Sequence, residues 1–139
     1  MLKFLKSLFA SSKKSNKFSN IFAAKVIAIE KHPNADRLRL IKVDDGNKII
    51  EPIVCGAFNF EVGDMVALAL PGAEIAQNIH SEENEPFILQ KAKIRGIESQ
   101  GMICAEFELG IGPLSEKPEI MVLKQGISPG SQFNKEMIK

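Results

Sequence analysis

The sequence predicts an all-β protein, a closed five-stranded barrel or a sandwich, with extra short strands or a hairpin and a short N-terminal helix. Three observations carry this expectation. Short apolar or alternating runs follow one another along the chain, punctuated by turn residues such as His32-Pro33-Asn34, Asp44-Asp45-Gly46-Asn47 and Pro71-Gly72. Beyond the first 20 residues no long stretch keeps a helical period. A length of 139 residues with 45% hydrophobic and 25% charged content suits one domain that buries its own core. At that size a barrel is the economical choice, because closure removes edge strands that an open sheet must protect.

The elements follow in order. The run from Ile21 to Glu30 is apolar on both faces and reads as a central strand, ended by His32-Pro33-Asn34. Arg37 to Asp44 alternates charged and apolar residues at its start, as a half-exposed strand does. Asp44-Asp45-Gly46-Asn47 marks a hairpin, since positive φ costs glycine and asparagine little. Lys48 to Cys55 contains Pro52 and therefore reads as an edge strand or a bulged one. Gly56 to Asp64 is a loop, Met65 to Gly72 a buried strand, and Ala76 to Pro86 a polar, acidic surface excursion. Two further β-like runs occupy Phe87 to Ser99 and Gly101 to Gly110. Glu119 to Gly126 adds a short strand, giving a domain over residues 21–133 and a polar tail over 134–139.

The formal charge of +1 conceals an asymmetry. Residues 1–18 hold five lysines and no acid, whereas the remainder carries thirteen cations against seventeen anions. The opening MLKFLKSLF has helical spacing of Leu2, Leu5 and Phe9, so residues 1–20 form a basic amphipathic leader. Three readings compete for it: an organellar transit peptide lacking arginine, a secretory signal interrupted by lysines, and a short helix or frayed end of the domain. Two cysteines cannot make a disulfide framework, and no apolar window is long enough for a membrane span, so a reducing, cytoplasmic setting is expected.

The search for catalytic chemistry is negative. His32 and His80 lack partners at metal-ligand spacing, and neither a phosphate-binding glycine loop nor a Gly-x-Ser-x-Gly motif is present. No cofactor or metal is expected. Cys55 and Cys104 lie in apolar strands and read as small buried hydrophobes. Cations at alternate positions are the distinctive pattern. In KAKIR, a strand would project Lys91, Lys93 and Arg95 from one face and turn Ala92 and Ile94 to the core, and Arg37 with Arg39 repeat the arrangement. Residues two apart on a strand lie roughly 7 Å from each other, near the phosphate spacing of a nucleic acid. The alternative is a solvated barrel face guarded by lysines. Tryptophan and tyrosine are absent, so base stacking would fall to Phe58, Phe60, Phe87 or Phe107. Recognition of a folded RNA by shape and backbone is the more plausible mode.

Glu30–Asp44 (EKHPNADRLRLIKVD), Ile53–Phe60 (IVCGAFNF), Val66–Ile75 (VALALPGAEI) and Lys91–Gly112 (KAKIRGIESQGMICAEFELGIG) resemble, in order and spacing, the tRNA-binding domain near the N-terminus of bacterial phenylalanine tRNA ligase β subunits. That domain is related to the C-terminal module of methionine tRNA ligases and to free-standing tRNA-binding proteins. The resemblance spans about Ile21 to Phe133. It implies an oligonucleotide-binding Greek-key barrel and a non-catalytic module that binds tRNA as an auxiliary to an aminoacyl-tRNA synthetase, or a structural, protein-interaction piece of the β subunit itself. By position it implies a binding surface made of Asn34, Arg37, Arg39, Lys42, Lys91, Lys93, Arg95, Ser99, Gly101 and Met102. Cations would meet phosphates, Asn34 and Ser99 would hydrogen-bond backbone or ribose, and Gly101 would permit close approach, although Gly101 and Met102 also suit a strand entry and a core position. Free-standing relatives pair through their barrels, so a homodimer is a further expectation.

Overall fold

The computed structural model describes residues 18–76, 85–113, 115 and 117–139. Residues 1–17 of the leader, with its expected helix, lie outside the described residues, as does His80. Ten strands run β1 (Ile21–Lys31), β2 (Arg39–Asp44), β3 (Ile49–Cys55), β4 (Met65–Ala69), β5 (Glu74–Ile75), β6 (Phe87–Ile88), β7 (Ala92–Ile94), β8 (Ile97–Ser99), β9 (Met102–Ile103) and β10 (Val122–Leu123). Among the described residues the only helical segments are 3-10 turns at Phe107–Leu109 and Lys135–Met137. The principal sheet is antiparallel with order β10-β4-β1-β2-β3, and β9 also pairs with β4.

β1 is the spine. Its first half pairs with β4, from Ile21 opposite Ala69 to Lys25 opposite Met65, and its second half with β2, out to Lys31 opposite Arg39. A register shift between Val26 and Ala28 bends the strand where it changes partner, which curls the sheet. β3, with its proline, is the edge of the ladder, as expected. The curl then brings β3 to the segment between β8 and β9 without forming a strand ladder. Two hydrogen bonds cross the gap: the Gln100 amide donates to the Pro52 carbonyl at 2.9 Å, and the Val54 amide donates to the Ser99 hydroxyl at 2.9 Å. The result is a partly open all-β barrel of oligonucleotide-binding type.

The apolar runs in β1 and β4 are continuous because both faces are covered. Ala24, Val26, Val66 and Leu68 point inward with Ile41, Val43, Ile53, Phe60 and Ile103. Ile21, Ala23, Met65, Ala67 and Ala69 form the opposite face and pack with Ile75, Cys104, Leu123 and Phe133. The last six residues, expected as a polar tail, fold back instead. Ile138 bridges Leu123, and the Lys124 amide donates to the Met137 carbonyl at 2.8 Å. Asn134 caps this turn by accepting the Glu136 amide at 2.9 Å, and Met137 and Ile138 pack against the core, so a cap and two apolar side chains hold a segment that composition alone marks as loose.

Candidate nucleic-acid interface

The turn after β1 and the β7–β8 hairpin form one unit, and a histidine joins them. His32 is 1% exposed. Its Nδ1 accepts the Asn34 backbone N–H at 3.0 Å, so the ring proton sits on Nε2 and is donated to the Ile94 carbonyl at 3.0 Å. Asn34 adds a second tie, its side-chain amide donating to the Arg95 carbonyl at 3.0 Å. Sequence reasoning placed His32 only beside a turn; its burial and two bonds explain why an imidazole, with one donor and one acceptor on opposite sides, occupies the position.

The hairpin corrects the expected ladder. β7 and β8 make a separate two-stranded sheet that stands off the barrel, with Ala92 exposed rather than turned to the core and only Ile94 half-buried. Lys91 precedes the strand. Arg95 is not in a strand either: it shares with Gly96 the two-residue turn that closes the Ile94–Ile97 pair, at φ 54° and 88°. Positive φ at both positions is the mirror-image hairpin turn, in which asparagine or glycine is the low-cost occupant of the first place. An arginine is held there at the cost of backbone strain.

The cations gathered at this end are Arg37, Lys91, Lys93 and Arg95, all exposed and none in an ion pair with a described residue. Lys93 lies directly across from Glu98 in the hairpin register. Lys91 also lines a shallow groove with Lys48, Ile49, Glu51, Pro71 and Gln100, which adds Lys48, unmarked by the sequence pattern, to the same basic surface. Two other expected cations are already engaged. Lys42 pairs with Glu51 across β2 and β3 at 2.9 Å. Arg39 is half-buried, donating from one Nη to the carbonyls of Ala57 at 3.0 Å and Phe60 at 3.3 Å.

Ser99, Gly101 and Met102 of the SQGM stretch are engaged with the barrel itself. Ser99 is 4% exposed, accepts the Val54 amide and donates to the Gly101 carbonyl at 2.8 Å, so its hydroxyl is engaged within the barrel, between β3 and the residue before β9. A Cβ on Gly101 would stand 2.7 Å from the Ala69 carbonyl oxygen; the close approach is to β4. Met102 is half-buried in β9 and packs on the outer core cluster. Both cysteines are buried, as expected, and burial raises both thiols above their ordinary range, Cys104 more strongly. Among the described residues no cluster of His, Cys, Asp and Glu could hold a metal.

The family model described as "Putative tRNA binding domain" matches residues 21–132. The chain belongs to this family. It is 43% identical over 84% of its length to the phenylalanine tRNA ligase β subunit of Syntrophus aciditrophicus, and 44% identical over 70% to that of Chlamydia pneumoniae. The chain spans only 13% and 12% of those relatives' lengths. In fold, this tRNA-binding-family chain is similar to a MetRS related protein from Pyrococcus horikoshii, with a TM-score of 0.60, 20% identity and coverage of 88% and 94% of the two chains. It is also similar to the C-terminal domain of Plasmodium vivax p43, with a TM-score of 0.52, 24% identity and coverage of 80% and 56%. The family is described as a tRNA-binding module.

Proposed function

We propose that the chain is a tRNA-binding module that docks the RNA backbone on the composite surface of the turn after β1 and the β7–β8 hairpin, serving an aminoacyl-tRNA synthetase of the phenylalanine type. Arg37, Lys91, Lys93 and Arg95 meet phosphates, with Lys48 extending the basic surface, and Asn34 offers its free carbonyl oxygen to ribose or backbone. The observation that carries this reading is the pair of bonds from His32 to Ile94 and from Asn34 to Arg95, which fixes two distant cationic segments as one surface. Preorganisation of that kind lowers the ordering cost of binding. Arg39, Lys42, Ser99, Gly101 and Met102 support the barrel behind the surface.

The 43% identity to a segment of ligase β subunits favours a second reading, in which the chain is the corresponding piece of such a subunit and also contacts neighbouring protein domains. We place the module in the cytoplasm; no helix among the described residues is long and apolar enough to cross a membrane. Filter binding of tRNA at low and moderate salt tests the proposal. Saturable binding that is lost in the Lys91→Glu, Lys93→Glu, Arg95→Glu variant supports it, and normal binding by that variant contradicts it.

A further inference from the structure

Among the described phenylalanines Phe58 alone is exposed, at 56% of its surface, whereas Phe60 and Phe107 are buried and Phe87 is half-buried against the core. An exposed ring on a loop is ordinarily mobile. This one is held: the Arg39 guanidinium carbon lies 4.5 Å from the Phe58 ring centroid and 4.8 Å from that of Phe60. The guanidinium is itself anchored by the carbonyls of Ala57 and Phe60, which flank the Phe58 position in the loop. Its Nε is buried without a partner, so the arginine gives up a hydrogen bond to stay against the rings. The loop also abuts the cationic surface, since a Cβ on Gly56 would stand 3.4 Å from Leu38 and 3.8 Å from the Arg37 carbonyl oxygen.

We propose that Phe58, backed by Arg39, is a stacking platform for one unpaired nucleobase of the RNA docked on the neighbouring cations. The inference rests on the tRNA-binding reading and adds to it a contact with an unstacked base, where the cations contact only backbone. A cationic partner behind the ring and a fixed ring plane suit an aromatic π-face, and base–aromatic stacking is tolerant of base identity. The expected contact therefore selects single-stranded positions over sequence.

The test compares tRNA with a fully paired, blunt RNA duplex as probes, using the whole chain. Phe58→Ala should weaken tRNA binding about tenfold while leaving duplex binding unchanged, and Phe58→Trp should preserve tRNA binding. Arg39 keeps its Phe60 contact and its two carbonyl bonds in both variants, so each should stay folded, with Phe58→Ala melting no more than a few degrees lower. Unchanged tRNA affinity in Phe58→Ala overturns the platform, and so does an equal loss on both probes. If Phe58→Ala binds normally while the Lys91, Lys93, Arg95 triple glutamate variant does not, the platform fails and the electrostatic surface stands. If the wild type binds neither probe, both readings fail.

Discussion

Arg95 shows how the proposed function bears on a single residue. Its φ of 54° would suit asparagine better, and the left-handed region costs an ordinary side chain roughly 1 kcal/mol or more. Replacing Arg95 with Asn should therefore raise the melting temperature by a few degrees and weaken tRNA binding severalfold, measured by thermal denaturation and filter binding on the same preparation. A variant that is both more stable and an equally good binder would show that the arginine serves neither end. Glu108 supplies a pH-dependent counterpart. Burial raises its carboxyl above the ordinary value of 4.5, opposed in part by the Ala105 N–H that its Oε1 accepts at 2.8 Å. The folded state thus holds this proton more tightly than the unfolded state. The associated stability is complete below the ordinary value and is lost as pH rises through the raised one. Glu108→Gln keeps the acceptor and removes the titration, so it should melt higher than the wild type at pH 7 and indistinguishably near pH 4.

Elements differ in how plainly their sequences declare them. The first four strands were legible, since apolar runs and Asx-Gly punctuation are local signals, and Pro52 marked β3 as the edge. The region from Phe87 to Ser99 reads in sequence as a single run. It breaks into β6, β7 and β8 because Arg95-Gly96 turns the chain, and an arginine in the first place of such a turn gives no warning. The inward roles of Ser99 and Arg39 were hidden for another reason: their partners, Val54 and the loop carbonyls of Ala57 and Phe60, are distant in sequence or carry no side-chain signature. His32 belongs to the same class. His32→Ala removes both the donor and the acceptor that tie the turn to the hairpin, leaving a buried void and two unmet backbone groups. It should cost about 2–3 kcal/mol in chemical denaturation and weaken tRNA binding although no charge has changed. Full affinity in a stable His32→Ala protein would show that the two segments need no such tie.

For the whole molecule, the net charge says little and its distribution says much. From Phe18 onward anions outnumber cations by four, yet Arg37, Lys91, Lys93 and Arg95 are concentrated on the surface that His32 and Asn34 assemble. An acidic body with a small basic surface should bind RNA with modest affinity and strong salt dependence, because a few phosphate contacts carry most of the free energy. The barrel contributes rigidity through a core covered on both faces of β1 and β4. The most direct measurement is tRNA affinity over a range of salt concentrations, for the wild type and for the Lys91→Glu, Lys93→Glu, Arg95→Glu variant. With three to four phosphates engaged, log affinity should fall against log salt with a slope of about −2.7 to −3.6 in the wild type and flatten towards zero as binding is lost in the variant. Saturable wild-type binding that ignores salt, or a variant with wild-type affinity and slope, would contradict the account.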